Sequence, residues 1–476
     1  MLRKLFSHTV LYGTAPQVIK IANFLALPII TKNLTSTDYG IAGVVTAYTA
    51  SIAVLATLGL RVVLVNSFYK SPNQFKWLWR QIYGFLILWN WIYALLASLL
   101  IYIVIPSEAI ENKWTILFLN VGPLVFFGPV KVLCSTYYQI KEIPSQIAIR
   151  SLVFGLTTVT LNIYFISFLK MGYMGWFWSS FIVGMLTNAS YFYPLNFVLK
   201  LKPIFNYKWR LLKNSLKVSL PTIPHYYSTY LLNSSDRLVM DVLSISTKEI
   251  GRYNVAYIVS GVMGSLSQAS GQAIGPLLNK LYKEGNDEVA KHLIVILQIV
   301  FFCVSVCSCL WMKEIFQLLI KNDELATMYP LGIIIFMAFN YRPMYFGANS
   351  KLLYTEKTNL LWQVTLVAGL LNVGLNFIFI PIFGFEVAAY TTFIGLMYMG
   401  YAGFFYKTFK KITSARYNPV LWLFLTIVLT ITVYMLVELN VVIKIILTCL
   451  VMLTGGFYIF KLNKLMDELR KEKRAN

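Results

Sequence analysis

Residues 293–312 read LIVILQIVFFCVSVCSCLWM, twenty consecutive residues without a formal charge. A membrane-spanning helix needs about 20 mostly apolar residues to cross a hydrocarbon core about 30 Å thick. We therefore predict a spanning helix at 291–312. Its cysteines, Cys303, Cys307 and Cys309, have no His or carboxylate near them in the run, so we expect them to pack rather than to bind metal.

Thirteen further stretches have a similar length and a similar apolar character. With the first, they predict fourteen spans near 10–30, 39–60, 82–105, 114–140, 151–169, 174–198, 215–240, 252–279, 291–312, 328–347, 360–382, 384–406, 420–438 and 440–460. Of the 476 residues, 58% are apolar and 13% are charged, against about 25% charged in a soluble domain. The predicted fold class is an all-α integral membrane protein with about 14 transmembrane helices and no sizeable soluble domain.

The net charge of +22 arises from 41 Lys and Arg against 19 Asp and Glu. If the N-terminus is cytoplasmic and the spans alternate, inner segments hold about 29 of the 41 basic residues and outer segments about 9. This asymmetry predicts that both termini are cytoplasmic and explains the charge without nucleic acid. Tryptophans near the predicted span ends are expected at the membrane interface: Trp77, Trp79, Trp114, Trp176, Trp178, Trp209, Trp311, Trp362 and Trp422.

The two halves of the chain share a weak internal similarity. The first span leads through residues 34–40 (LTSTDYG) into a helix rich in small residues, and the seventh leads through residues 243–251 (LSISTKEIG) into another. Prolines occur in both leading spans. A duplicated unit of six spans is the simplest account, as in many transporters; chance similarity between apolar helices is the alternative.

Several kinds of chemistry lack their usual motifs. The sequence has no Gly-rich loop ending in Lys-Ser or Lys-Thr, so a P-loop nucleotide site is not expected. His8, His225 and His292 are far apart in sequence and do not have metal-site spacing. The predicted outer loops are short and offer no platform for catalysis. We predict no catalytic residues, no metal site and no enzymatic activity.

Three cations fall inside predicted spans, where a charge at the helix centre costs about 2.5–3.5 kcal/mol on insertion scales. Lys20 lies near the middle of the first span, and Lys131 and Arg342 lie in the inner halves of the fourth and tenth. No Asp or Glu lies deep in the same spans, so these cations indicate a wet cavity that receives an anion. The alternative is that each long side chain reaches the interface from near a helix end.

The seventh span contains prolines followed by polar and charged residues. Residues 220–225 (LPTIPH) hold two prolines that break the helical hydrogen bonds, and His225 ends the motif. Asp241 follows Arg237 by four residues and is placed to pair with it. His225, Asp236 and Asp241 are candidates for coupling to an ion gradient, and Arg237 is a further candidate for anion binding. The alternatives are a packed histidine and a helix end anchored at the interface.

These motifs occur in an order that is typical of one family. They are LPIITKNL at 27–34, Asp38-Tyr39-Gly40, LPTIPH at 220–225, Ser235-Asp236-Arg237, Gly251-Arg252-Tyr253 and Ala256-Tyr257. In this pattern the chain resembles the Wzx-type polysaccharide flippases, the polysaccharide-transport branch of the MOP (multidrug/oligosaccharidyl-lipid/polysaccharide) exporter superfamily. The resemblance implies two six-helix lobes in a V around a central cavity, expected at 1–200 and 201–410. Two additional helices and a basic cytoplasmic tail would occupy 411–476.

The resemblance also implies a function. Such proteins move undecaprenyl-diphosphate-linked oligosaccharides, the repeat units of O-antigen, capsule or exopolysaccharide, from the inner to the outer leaflet of the bacterial inner (plasma) membrane. The expected mechanism is alternating access without a cofactor, with an H+ or Na+ gradient as the energy source. The expected partners are the lipid-linked substrate, membrane lipids and glycan-assembly proteins, and the expected state is a monomer. The roles of Lys20, Lys131 and Arg342 rest on burial cost and not on a family motif.

Three alternatives remain open from the sequence. A MATE-like small-molecule exporter would need buried carboxylates for organic cations, and the first half has none in mid-span. A membrane glycan polymerase or ligase would need a substantial outer loop. A flippase for cell-wall precursors is a close variant of the main prediction.

Overall fold

The computed structural model describes residues 17–206, 208–355, 357 and 359–475, except for the side chains of 225, 229, 359 and 470–475. Every regular element in this part of the chain is a helix. Seven of the described helices are each long and apolar enough to cross a membrane, and the bent pair Ser107–Phe127 with Val130–Ile140 adds an eighth. The chain is a multi-pass, all-helical membrane protein, which confirms the predicted fold class.

The helices follow one another with short connections. The first eleven are α1 (17–30), α2 (Ser36–Ile52), α3 (Arg61–Lys70), α4 (Phe75–Val104), α5 (Lys113–Phe127), α6 (Val130–Ile140), α7 (Pro144–Asn162), α8 (Met174–Tyr193), α9 (Trp209–Ser219), α10 (Ile223–Asn233) and α11 (Ser235–Val242). The others are α12 (Thr247–Lys283), α13 (Asp287–Leu310), α14 (Met312–Leu319), α15 (Asp323–Ala326), α16 (Tyr329–Ala338), α17 (Arg342–Tyr354), α18 (Asn359–Phe383), α19 (Val387–Tyr401), α20 (Lys407–Ile412), α21 (Pro419–Leu436) and α22 (Val441–Ala475).

The helices form two compact units. Unit 1 comprises the chain up to Tyr230 together with Ser244–Gly251, and unit 2 comprises Leu231–Leu243 and the chain from Arg252 onward. Two of the three boundaries therefore fall within helices, α10 and α12, and the third falls in the connection between α11 and α12. The predicted lobe limits at 200 and 410 stay a prediction.

Each of the fourteen predicted spans overlaps a helix or a run of helices at the same place in the chain. The predicted proline break in the seventh span is confirmed, because residues Leu220–Thr222 form a 3-10 turn between α9 and α10. A second 3-10 turn, Phe339–Tyr341, precedes Arg342 in the tenth span. The fourth span bends by 56° between α5 and α6, where Gly128 takes a φ of +54° that favours glycine.

The core of unit 1 includes a tryptophan that the sequence analysis placed at the membrane interface. Trp79 is fully buried, and its indole Nε1 donates to the Leu64 carbonyl at 3.1 Å and to Ser67 Oγ at 3.1 Å. The interface prediction is wrong for this residue. An indole whose N–H finds an acceptor inside the protein gains more from full burial of its ring than from a place among the headgroups.

The last two helices pack against α13 within unit 2. Trp311 Nε1 donates to Thr448 Oγ1 at 3.0 Å, and Lys444 Nζ lies 2.6 Å from Glu314 Oε1. Lys313 and Tyr329 both donate to Glu438, in the turn between α21 and α22, and these hydrogen bonds hold the pKa of that carboxyl below its usual value. Polar contacts thus join α21 and α22 to the rest of unit 2 at one end of these helices.

Candidate functional site

The Asp236 carboxylate is fully buried in unit 2 and accepts four hydrogen bonds. Oδ1 accepts from Asn372 Nδ2 at 2.8 Å and from Asn376 Nδ2 at 2.8 Å. Oδ2 accepts from the Tyr253 hydroxyl at 2.7 Å and from Thr392 Oγ1 at 3.0 Å. The carboxylate is therefore saturated with donors, all of which are neutral groups. We call these five residues the Asp236 site.

Four helices bring these side chains together. Asp236 is the second residue of α11, which begins after a break at Ser234. Tyr253 comes from α12 and Thr392 from α19. Asn372 and Asn376 lie four residues apart on α18, a spacing that places both amides on one face of a helix.

The site is rich in oxygen atoms that suit a small hard cation. Asn372 Oδ1 is buried and has no hydrogen-bond partner among the described residues, while Asn376 Oδ1 accepts from Thr391. Rotation of the Asn372 amide by 180° exchanges its oxygen and nitrogen and would present the unpartnered oxygen toward Asp236. A carboxylate with amide and hydroxyl oxygens can hold an alkali cation, and the carboxylate can alternatively take up a proton. No group of three or more His, Cys, Asp or Glu in the described part of the chain is arranged to hold a metal ion.

Arg237 is also buried, but it makes different contacts from its neighbour. Its Nε donates to Asn254 Oδ1 at 2.9 Å, its Nη1 donates to the Asn233 carbonyl at 3.2 Å, and its guanidinium lies 4.2 Å from the centre of the Tyr257 ring. The guanidinium thus donates to Asn254 and Asn233, and its pairing with Asp241 stays a prediction. Asp241 is half-buried further along α11. The side chain of His225 lies outside the described residues.

Arg342 is the predicted anion ligand with the most distinctive surroundings. It opens α17, half-buried, and its guanidinium lies 5.1–5.7 Å from the ring centres of Tyr341, Tyr345 and Phe346. Its Nη1 donates to the Tyr341 hydroxyl at 2.7 Å. Its Nε is buried without a hydrogen-bond partner among the described residues. The side chain therefore retains both its charge and an unused donor within a helical span.

The other two predicted cations belong to unit 1, whereas Arg342 belongs to unit 2. Lys20 is half-buried on α1. Lys131 is exposed and is the second residue of α6, directly after the bend that follows α5. Their roles as headgroup ligands stay a prediction.

Two glycines in unit 1 allow the first turns of α2 and α12 to touch. A Cβ added at Gly40 would lie 1.8 Å from the Thr247 carbonyl oxygen, and one added at Gly251 would lie 1.7 Å from the Ser36 carbonyl oxygen. These helix starts belong to the two similar segments identified in the sequence. In both, a hydroxyl and a carboxylate three residues later exchange hydrogen bonds with the backbone, Thr35 with Asp38 and Ser246 with Glu249. We call this backbone approach the glycine contact.

Unit 2 also contains an apolar cavity of about 650 Å3. Its walls come from α18, α19 and α21 and include Leu371, Phe393, Met397, Leu423 and Ile427. No charged side chain lines it, so its walls suit a hydrocarbon chain and not a charged headgroup.

Sequence reasoning identified the one charged member of the site, Asp236, and named Tyr253 within a motif, but it missed the other three members. Asn372, Asn376 and Thr392 carry no charge, and single polar residues are common in spans. The sequence feature that could have revealed these residues is the pair of asparagines four residues apart in the apolar stretch 360–382. Two amides on one face of a spanning helix need hydrogen-bond partners on a neighbouring helix.

Solved structures with a similar fold are transporters and flippases. One titled "Lipid II flippase MurJ, inward closed conformation" aligns with a TM-score of 0.66 over 90% of this chain and 98% of that one, at 13% identity. An inward-facing multidrug resistance MATE family transporter of the MOP superfamily aligns with a TM-score of 0.61 over 86% and 96%, at 14% identity. The described helices therefore have the fold that these two proteins share.

A third MOP superfamily transporter, from Pyrococcus furiosus, aligns with a TM-score of 0.53 over 92% of this chain and 96% of its own, at 13% identity. Its title reports a binding pocket of reverse polarity and a different function. No protein-family model matches the sequence, and no curated protein matches it either. At such low identities the similarity concerns the fold, which a flippase and a multidrug transporter have in common.

Proposed function

We propose that the protein is a flippase that moves an undecaprenyl-diphosphate-linked oligosaccharide from the inner to the outer leaflet by alternating access. The negatively charged diphosphate would be held by Lys20, Lys131 and Arg342, with Arg237 as a further candidate. The similarity in fold to a lipid II flippase supports a lipid-linked substrate. The neighbours reported above are transporters and a flippase, and none of their titles names an enzyme.

The observation that carries this proposal is the state of Arg342. A charge within a span is costly unless it is paired or lines a wet cavity. In the described part of the chain, the Arg342 guanidinium lies near three aromatic rings and donates to the Tyr341 hydroxyl, and its Nε has no acceptor. An anionic headgroup would supply both a negative charge and the acceptor that Nε lacks, because guanidinium binds phosphate through several N–H groups.

Transport against a gradient also needs an energy source, and we propose that a cation at Asp236 provides it. The Asp236 site is buried, oxygen-rich and contains a formal negative charge surrounded by neutral donors. Binding of Na+ or H+ there would neutralise that charge and favour one conformation over the other. The two other predicted couplers, His225 and Asp241, are weaker candidates in this proposal.

The proposed setting is the bacterial inner membrane, with both termini in the cytoplasm. The monomer would work beside glycan-assembly proteins that make and polymerise its cargo. No resident cofactor is proposed.

Substitution of Arg342 tests the proposed substrate. In proteoliposomes that contain a fluorescent lipid-linked diphosphate oligosaccharide, we expect Arg342→Gln to slow translocation by roughly tenfold or more, because it removes a charge-assisted contact worth about 1.5–3 kcal/mol. Arg342→Lys keeps the charge and should retain part of the activity. Wild-type rates in the Gln variant, with normal insertion, would remove Arg342 from the site.

A MATE-like exporter is the second candidate, and the MATE neighbours favour it. In that case the buried Asp236 carboxylate would bind an organic cation directly. Uptake of ethidium into inverted vesicles distinguishes the two proposals. Gradient-driven accumulation of the dye that Asp236→Asn abolishes, without translocation of the lipid-linked sugar, would reverse our ranking.

A further inference from the structure

One end of unit 1 has a strongly basic surface that the proposed transport does not use. Two segments, 61–81 and 199–218, together contain ten Lys and Arg residues and no Asp or Glu. The first segment includes α3 and the start of α4, and the second includes the connection after α8 and most of α9.

The connection before α9 is fixed to α4 by its backbone. Ile204 N donates to the Arg80 carbonyl at 2.9 Å, and Arg80 Nε donates to the Lys202 carbonyl at 2.8 Å. Gly84 permits this approach, because a Cβ there would lie 2.1 Å from the Ile204 carbonyl oxygen. The lysines of this connection are therefore held in place on the surface of the unit.

Exposed cations alternate with exposed aromatic rings across this surface. Lys208 Nζ lies 5.4 Å from the centre of the Trp77 ring, and Trp209 is 61% exposed. On α9, the spacing of Arg210, Lys213 and Lys217 places all three on one helix face. We define the basic surface as six exposed residues: Lys76, Lys202, Lys208, Arg210, Lys213 and Lys217.

The cations of the basic surface differ from three lysines of unit 2 that form ion pairs. In unit 2, Lys291, Lys351 and Lys444 each lie within 2.6 Å of a carboxylate oxygen. Among the described residues, none of the six cations of the basic surface has a carboxylate oxygen within 4.0 Å. Their positive charge is available to an external anion.

We propose that the basic surface binds the anionic headgroups of phospholipids in the adjacent leaflet. It lies at the start of α4, a membrane-spanning helix, and indole rings such as those of Trp77 and Trp209 prefer the headgroup level. Basic clusters next to a span attract anionic lipids, with a contribution from each Lys or Arg. An acidic soluble protein would not need aromatic rings at the depth of the bilayer interface. The inference depends on neither the proposed substrate nor the coupling ion.

The test compares two variants with the same change in net charge. The first carries Lys202→Gln, Lys208→Gln, Lys213→Gln and Lys217→Gln. The matched control carries Lys280→Gln, Lys283→Gln, Lys407→Gln and Lys410→Gln, four exposed lysines of unit 2. Each is reconstituted in phosphatidylcholine vesicles with spin-labelled phosphatidylglycerol, and the motionally restricted fraction gives the selectivity for the anionic lipid.

We expect selectivity to fall about fivefold or more in the first variant and less than about twofold in the control. High salt should reduce the wild-type selectivity to the level of the first variant, because salt screens exposed charges. Equal selectivity in all three proteins would overturn the proposal. The proposal would also be overturned if the first variant kept the wild-type lipid selectivity but lost an acidic protein that co-purifies with the wild type. If the fourfold variant does not reconstitute, Lys213→Gln with Lys217→Gln should give a smaller decrease, and no decrease would overturn the proposal.

Discussion

The Asp236 carboxylate concentrates a negative charge in the interior of unit 2, where water cannot stabilise it. Hydrogen bonds from Asn372, Asn376, Tyr253 and Thr392 offset much of the desolvation cost. Neutral donors do not cancel the charge, however, and buried charges are usually paired with an opposite charge or a metal. A bound cation or proton would complete the site, and for this reason we expect the protein to be more stable when the coupling ion is present.

Replacement of Asp236 by Asn is expected to abolish stabilisation by the ion. If the ion is Na+, the wild-type protein should gain about 2.7 kcal/mol of unfolding free energy at a concentration one hundred times the Kd. The Asp236→Asn variant should gain nothing. Thermal unfolding in detergent, with Na+ exchanged for choline at constant ionic strength, measures the difference.

Asp241→Asn provides a matched control on the same helix. It should preserve the response to Na+, because Asp241 lies outside the hydrogen-bond shell of Asp236. Loss of the response in this variant alone would move the coupling site to Asp241. A wild-type protein that responds to pH but not to Na+ would assign the site to a proton, and a response to neither would contradict ion coupling at Asp236.

Part of the site could be predicted from the sequence because some of its residues are charged. Asp236, Arg237 and Arg342 stand out because a charged residue in an apolar stretch is rare and expensive. The partners Asn372 and Thr392 do not stand out, since neutral polar residues cost little when a neighbouring helix supplies a partner. The packing of α11, α12, α18 and α19 determines which neutral groups form hydrogen bonds with Asp236. The spacing of residues within one helix does not predict this packing.

At the scale of helices, the glycine contact is the feature most directly open to test. The first turns of α2 and α12 approach so closely that neither Gly40 nor Gly251 can carry a side chain without displacing the backbone opposite. Both helix starts belong to unit 1, so the contact holds the start of α12 against α2 within that unit. A substitution that prevents this close approach should separate the two helix starts.

The variant Gly251→Ala is expected to expose the first turn of α2. Ser36 is 2% exposed, so a cysteine placed there in a background without native cysteines should react slowly with a membrane-impermeant maleimide. In Gly251→Ala we expect the reaction to be several times faster, because the added Cβ would overlap the Ser36 carbonyl oxygen. Gly261→Ala on the same helix is the control, since a Cβ at that position meets nothing within 4 Å. Equal labelling in the two variants would show that the glycine contact is not what shields Ser36.

The spans were predictable because their length and apolar character are imposed by the bilayer. The break at 220–222 was predictable too, because proline removes a hydrogen-bond donor. The short helices α3 and α14 were not predicted. Both lie at the ends of spans, where the distribution of polar residues no longer indicates which residues lie in the membrane. Likewise α12 continues to Lys283, beyond the predicted end at 279, because a helix need not stop where the hydrocarbon stops.

For the whole molecule, fold and function are constrained by different residues. The fold is similar to that of transporters with only 13–14% sequence identity, because many combinations of apolar residues fill the same helix interfaces. In our proposal the substrate is recognised by a few charged residues such as Arg342, which the fold alone does not specify. The pattern of apolar and charged residues in the sequence therefore predicts the fold better than it predicts the transported substrate.

The last two helices are held to unit 2 by a lysine that is almost completely buried. Lys444 is 1% exposed, whereas its partner Glu314 is 34% exposed. Glu314→Gln would leave a buried ammonium without a counter-charge, and we expect it to cost about 3–5 kcal/mol. Lys444→Met leaves a carboxylate on a side chain that is partly exposed, although its Oε2 is buried, and should cost less. The double variant should recover most of the loss because neither charge remains. Unfolding of all four proteins in phosphatidylcholine nanodiscs measures the cycle, and equal losses in the two single variants would show that burial of Lys444 does not determine the attachment.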